Sequence, residues 1–239
     1  MAIDNSKLPS KSTASEVDAF LKKVANTPAA SNRASGRGRL LFALDATASR
    51  EPTWDQACNI QGEMFLASSK LGGLEVKLCF YRGFRQLLTT SWCHDSRKLL
   101  QHMTKVRCAG GMTQIGRLLR YAVKETTRQS VNAMVFVGDC MEEDLDQICE
   151  PAGQLGLLGV PVFVFHEGYD PVAERAFRDI ARLSKGAYCR FDAGSAEQLR
   201  ELLGAVAAYA AGGHAALEQF GEHRGRLVTA LRKQLGKQG

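Results

Sequence analysis

Three uninterrupted apolar runs punctuate the middle of the chain: Leu40 to Leu44, Ala133 to Val137 and Val160 to Phe165. The first stops at Asp45, the second at Gly138-Asp139 and the third at His166. Short runs without alternation are what strands look like when helices cover both faces of a parallel sheet. Between them the apolar spacing predicts helices over roughly 53–71, 113–129, 144–157 and 173–185. The stretch 75–92 follows another rule. Glu75, Val76, Lys77 and Leu78 alternate and the chain turns near Arg82-Gly83, which predicts a hairpin with one antiparallel edge strand. A last strand at 187–192 and a helix at 196–210 complete the alternation.

The order β-α-β-β-α-β-α-β-α-β-α predicts an α/β fold. Its core is a doubly wound, mostly parallel six-stranded sheet with one antiparallel edge strand and helices on both faces, Rossmann-like in outline. The two ends differ from this body. Residues 1–12 are polar, and a short helix is predicted after Thr13, which has capping-box spacing with Glu16; Val17, Phe20, Leu21 and Val24 line one face of it. The small and basic segment TPAASNRASGRGR reads as a linker. A final helix over about 214–235 places Leu217, Phe220, Leu227, Leu231 and Leu235 on one face. Gly221 and Gly225 weaken it, so it needs the body to dock on. The expected division is a tail with helix and linker at 1–37, the α/β domain at 38–210, and an amphipathic basic helix at 211–239.

Composition narrows the setting. A chain of 239 residues, 45% apolar and 23% charged, is that of a soluble globular protein. No apolar run approaches the length of a membrane span, and the first thirty residues do not read as a secretory signal, so the expected location is cytoplasmic. The seven cysteines form no C-x-x-C and are odd in number, which points to reduced, small core residues rather than a disulfide frame or a structural zinc. Cys140, beside Asp139, has a redox role as its second reading. The net charge of +6 is unevenly placed: residues 1–39 carry seven Lys/Arg against three Asp/Glu (+4), and residues 213–239 carry five against two (+3). The body therefore nets 6 − 7 = −1 and offers no basic groove.

In such sheets ligands bind beyond the carboxyl ends of the strands. The first strand delivers Asp45-Ala46-Thr47-Ala48-Ser49 there, the loop at 110–113 delivers Gly110-Gly111-Met112-Thr113, and the strand at 133–137 delivers Gly138-Asp139. Two carboxylates and three hydroxyls suit a hard divalent cation, which also resolves the repulsion between paired carboxylates. The acidic run Glu142, Glu143, Asp144 reads as favouring a helix N-terminus, with a rim around the crevice as its second reading. His166, Glu167 and Asp170 read first as solvated loop residues and second as lining the crevice, His166 being carried as a rim residue. His94 and His102 match no ligand spacing.

DATAS, GGMT and VGD, placed after the first strand, before a helix and at the end of a strand, resemble the D-x-[ST]-x-S…T…D pattern of the von Willebrand factor type A (VWA) domain. The resemblance covers about residues 38–210 and is to an intracellular, bacterial-type member. It implies a metal-ion-dependent adhesion site in which Asp45, Thr47, Ser49, Thr113 and Asp139 hold Mg²⁺ or Mn²⁺ and a protein partner supplies an Asp or Glu to the metal. Thr47 stands where Ser is commoner, which keeps the oxygen and adds a methyl. The implied role is a metal-dependent protein-interaction module without catalysis. A second reading is an RNA-binding protein that uses Arg33, Arg37, Arg39, Arg224, Arg226, Arg232 and Lys233 in its basic tails. A third is a Mg²⁺-dependent phosphohydrolase, for which D-x-D after the first strand is wanting, as is G-x-S-x-G for an esterase.

Overall fold

A computed structural model describes residues 14–28, 38–53, 74–191 and 196–235. The polar start with Thr13, the linker bearing Arg33 and Arg37, and nearly all of the helix expected over 53–71 lie outside the described residues. So do the side chains of Leu227, Leu231, Leu235, Arg224, Arg226, Arg232 and Lys233.

The continuous apolar runs are strands, buried on both faces. β1 (Gly38–Asp45), β2 (Leu74–Arg82), β3 (Gln86–Thr89), β4 (Ala133–Gly138), β5 (Val162–Glu167) and β6 (Tyr188–Phe191) form one six-stranded sheet in the order β3-β2-β1-β4-β5-β6. Every pairing is parallel except β2 with β3, the edge hairpin. The strands run further than their apolar cores suggest: β1 begins at Gly38, and β5 continues through His166 and Glu167.

Helices cover the sheet on both sides: α1 (Ala14–Asn26), α2 (Ser96–Thr104), α3 (Ile115–Arg128), α4 (Leu145–Leu157), α5 (Pro171–Leu183) and α6 (Ala196–Leu235). One core forms where Leu40, Phe42 and Leu44 of β1 meet Leu99 and Met103 of α2 and Leu202 and Val206 of α6. The other forms where Leu41 and Ala43 meet α3, α4 and α5 through Leu119, Ile148 and Phe177. Period-two alternation within one apolar strand thus feeds both layers. Three helices begin at an aspartate cap: Asp95 on the N–H groups of Arg97 and Lys98, Asp144 on those of Asp146 and Gln147, and Asp170 on those of Val172 and Ala173. The helix over 96–104 has no counterpart in the periodicity, because its buried face within the helix is little more than Leu99 and Met103; its readable sign is Asp95.

The added segments are part of the same body. α1 buries Phe20 and Val24, and the Phe20 ring lies 5.4 Å from that of Phe165 and 6.1 Å from that of Phe163. Tyr209 donates from its hydroxyl to the Pro28 carbonyl at 2.6 Å. α6 breaks at Gly213, whose φ of 63° and ψ of −146° only glycine adopts without strain. Beyond the break Phe220 lies so close to Gly204 that a Cβ there would meet its ring at 2.8 Å.

Two backbone approaches are equally tight: a Cβ on Gly38 would stand 2.0 Å from the Ala210 carbonyl oxygen, and one on Gly186, at the entry to β6, 2.0 Å from the Val162 carbonyl oxygen. Gly186→Ala is therefore expected to lose about 1–3 kcal/mol or more of stability in urea titration. Gly153, in mid-helix with nothing within 4 Å of a Cβ, should gain about 0.5–1 kcal/mol on replacement by Ala.

Candidate metal centre

The register of β1 and β4 creates the site. Leu44 pairs with Val137, so Asp45 falls beside Gly138 and Asp139 lies one residue beyond the end of β4. Asp45 is fully buried. One of its carboxylate oxygens accepts from the Thr47 N–H at 2.8 Å, a local turn of the kind aspartate favours. The other accepts from the buried Tyr81 hydroxyl, also at 2.8 Å. Backbone bonds hold the loop that follows, from Ala46 N–H to the Tyr81 carbonyl at 3.0 Å and from Ala109 N–H to the Ala46 carbonyl at 3.1 Å. Thr47 Oγ1 and Ser49 Oγ are 3.0 Å apart. Carboxylate oxygens of Asp45 and Asp139 and the Cys140 sulfur all lie within 4.8 Å of one another.

Thr113 joins through the loop that carries Asp139. Its hydroxyl accepts from the Glu142 N–H and its own N–H donates to the Glu142 carboxylate, each at 3.0 Å. Glu143 accepts from the N–H groups of Ile115 and Gly116. Helix α3 begins at Ile115 rather than Thr113, its N-cap Gln114 makes no side-chain cap, and Glu142 and Glu143 supply the acceptors instead. Asp144 caps the next helix, so the acidic run serves two helix starts. The hairpin tip fixes this loop from the other side: a Cβ on Gly111 would meet the Gly83 carbonyl oxygen at 2.2 Å.

His166 and Glu167 are not the solvated loop residues expected of them. Both belong to β5 and are buried, because the strand continues past its apolar run. His166 sits under the 138–140 loop, with Nδ1 2.9 Å from the Tyr188 hydroxyl and Nε2 3.3 Å from the Asp139 carbonyl oxygen. Burial holds its pKa below the ordinary value, a direction only partly opposed by the Asp139 carbonyl. Glu167 pairs with Arg50, which is 1% exposed. Arg50 donates to the Glu167 carboxylate at 2.6 and 3.0 Å and to the Asp45 carbonyl at 3.0 Å. Asp170 is the cap of α5.

Burial pushes the Asp45 carboxyl above its ordinary range, and Asp139 pushes it the same way; the bonds from Thr47 and Tyr81 act against both. Asp139 Oδ1 is buried and has no hydrogen-bond partner among the described residues. Burial, then Asp139 and Asp45, raise the Cys140 thiol to about 12. The residues present thus fit a divalent cation: two crowded carboxylates, one with an unsatisfied buried oxygen, beside a pair of hydroxyls. Tyr81 and Arg50 were absent from the sequence-derived set, and Glu167 stood in it only through its second reading as a crevice residue. Arg50 follows DATAS directly, yet a buried arginine and a solvated one read alike along a chain.

No family model and no curated protein matches the sequence. Solved structures do. A von Willebrand factor type A protein from Catenulispora acidiphila superposes with a TM-score of 0.59 at 15% identity, over 72% of this chain and 43% of that one. This chain therefore spans less than half of that relative's length. The SpRpn10 VWA domain gives 0.55 at 12% identity over 70% and 94% of the two chains. The vWF domain of the type V pili tip protein Mfa5 from Porphyromonas gingivalis gives 0.58 at 7% identity over 72% and 96%. At such identities the likeness is one of fold.

With metal chelated, Asp45→Asn is expected to melt above the wild type at pH 7, since the amide still accepts from Thr47 and sheds the buried charge. The raised carboxyl pKa favours the folded state below 3.8, and that contribution is lost as pH rises through the folded value. The gap between variant and wild type should therefore close as the pH falls below 3.8. Thermal melts at pH 7 and pH 3 check this; a variant that melts lower at both would contradict it.

Proposed function

For a chain with the von Willebrand factor type A fold, we propose a protein-interaction module whose carboxyl-edge crevice binds a divalent cation, Mg²⁺ or Mn²⁺, and through it an Asp or Glu of a protein partner. Asp45, Thr47, Ser49, Thr113 and Asp139 would hold the ion. The observation that carries this reading is the local charge. Arg50 is offset by Glu167, which leaves fully buried Asp45 and half-buried Asp139 as two carboxylates in one cluster, the second with a buried oxygen that has no hydrogen-bond partner among the described residues. Two uncompensated negative charges call for a divalent ion. When bound, the cation supplies an electrophilic contact for one outside oxygen ligand. The protein's part is to hold the oxygens in place: Tyr81 and the Thr47 N–H orient Asp45, and Arg50 fixes the strand ends below.

A cytoplasmic location fits the cysteine usage, since the six cysteines among the described residues are all free. No helix among the described residues is long and apolar enough to cross a membrane. The RNA-binding reading rests on basic residues that lie almost wholly outside the described side chains, and no observation favours it.

Chelator-stripped protein titrated with Mg²⁺ or Mn²⁺ should show a saturable rise in melting temperature. At one hundred times Kd the gain is about 2.7 kcal/mol, roughly 5–10 °C for a chain of this size. Asp139→Ala should abolish the rise. An unshifted wild type with both metals would sink the proposal.

A further inference from the structure

We propose that Cys140 is itself a ligand of this centre, and that its sulfur turns an all-oxygen site into a mixed oxygen–sulfur site that takes zinc in preference to magnesium. The inference rests on the reading of the carboxyl edge as a cation site and specifies the ion it selects. The placement is the first argument. The Cys140 sulfur and carboxylate oxygens of Asp45 and Asp139 share a cluster no wider than 4.8 Å. Donors on one tetrahedral zinc ion, at about 2.0–2.2 Å for carboxylate oxygen and about 2.3 Å for sulfur, stand roughly 3.5–3.7 Å apart, so side-chain rotation that draws the three groups together by about an ångström or less completes the contact.

The second argument is contrast. Cys79 and Cys189 are buried in strands, as core cysteines are, whereas Cys140 is half-buried on the loop that follows β4. The other anionic groups of that loop are already engaged, Glu142 by the Thr113 N–H and Glu143 by those of Ile115 and Gly116. The unsatisfied Asp139 Oδ1 is an independent sign of positive charge wanted at the same point. Thiolate is a soft donor that favours zinc and cobalt, while magnesium takes oxygen and keeps its waters. On binding, the Cys140 S–H bond breaks, its proton passes to solvent and the sulfur electron pair forms the metal–sulfur bond. No electron is transferred and no oxidant is needed.

Cobalt(II) titration of the chelator-stripped full chain under reducing, oxygen-free conditions tests this. The wild type should develop a near-ultraviolet sulfur-to-cobalt charge-transfer band that saturates at one equivalent and is bleached by Zn²⁺. Cys140→Ser and Cys140→Ala should lose the band, and Cys79→Ser should keep it. By calorimetry Zn²⁺ should bind the wild type at least tenfold more tightly than Mg²⁺, with that ratio falling in Cys140→Ser. Metal binding without the wild-type charge-transfer band, or a band that survives in both Cys140 variants, would overturn Cys140 as ligand and leave the cation site standing. No binding of cobalt, zinc, magnesium or manganese would overturn the site and the inference together.

Discussion

The guanidinium of Arg50, buried beneath the carboxyl edge of the sheet, donates to the carbonyl oxygens of Asp45 at 3.0 Å and Val137 at 3.5 Å and to the Glu167 carboxylate at 2.6 Å. One side chain thereby ties the ends of β1, β4 and β5, the three strands whose loops shape the crevice. A buried ion pair adds little net stability over a well-packed apolar pair, but losing one partner strands the other charge. Its contribution here is positional. With Arg50 offset by Glu167, the charge of Asp45 and Asp139 is left over, and the architecture of the edge follows from where that excess is placed.

Each neighbouring element then constrains one group of the centre. Tyr81, paired in register with Asp45 across β1 and β2, lends the hydroxyl that orients the carboxylate. The hairpin tip at Gly83 presses on Gly111 and sets the height of the loop that bears Thr113. Glu142 and Glu143 complete the start of α3 and so bind the 138–143 loop to it. The donors are held by the fold before any ligand arrives, which lowers the ordering cost of binding.

Much of the fold was legible because the strands are apolar on both faces. Runs such as Leu40 to Leu44 admit few other readings once helical spacing surrounds them, and the alternating 75–78 segment marked the edge hairpin. The candidate residues were legible because they stand where those runs stop. What could not be read depends on partners distant in sequence. His166 and Glu167 looked like loop residues because the apolar run ends at Phe165, yet pairing with β6 and the ion pair with Arg50, 117 positions away, carry the strand further. The stretch holding His94 and His102 read as helical but without bounds, because α2 buries little more than Leu99 and Met103 and so holds too little periodicity. Tyr81 as a donor to Asp45 needed the register of two strands.

The most direct measurement is an anomalous difference map from a crystal of the full chain grown with Mn²⁺, recorded at the manganese edge. The account predicts one strong peak among the carboxylates of Asp45 and Asp139 and the hydroxyls of Thr47 and Ser49. A map with no peak at that edge of the sheet, in a crystal whose mother liquor holds millimolar Mn²⁺, would contradict it.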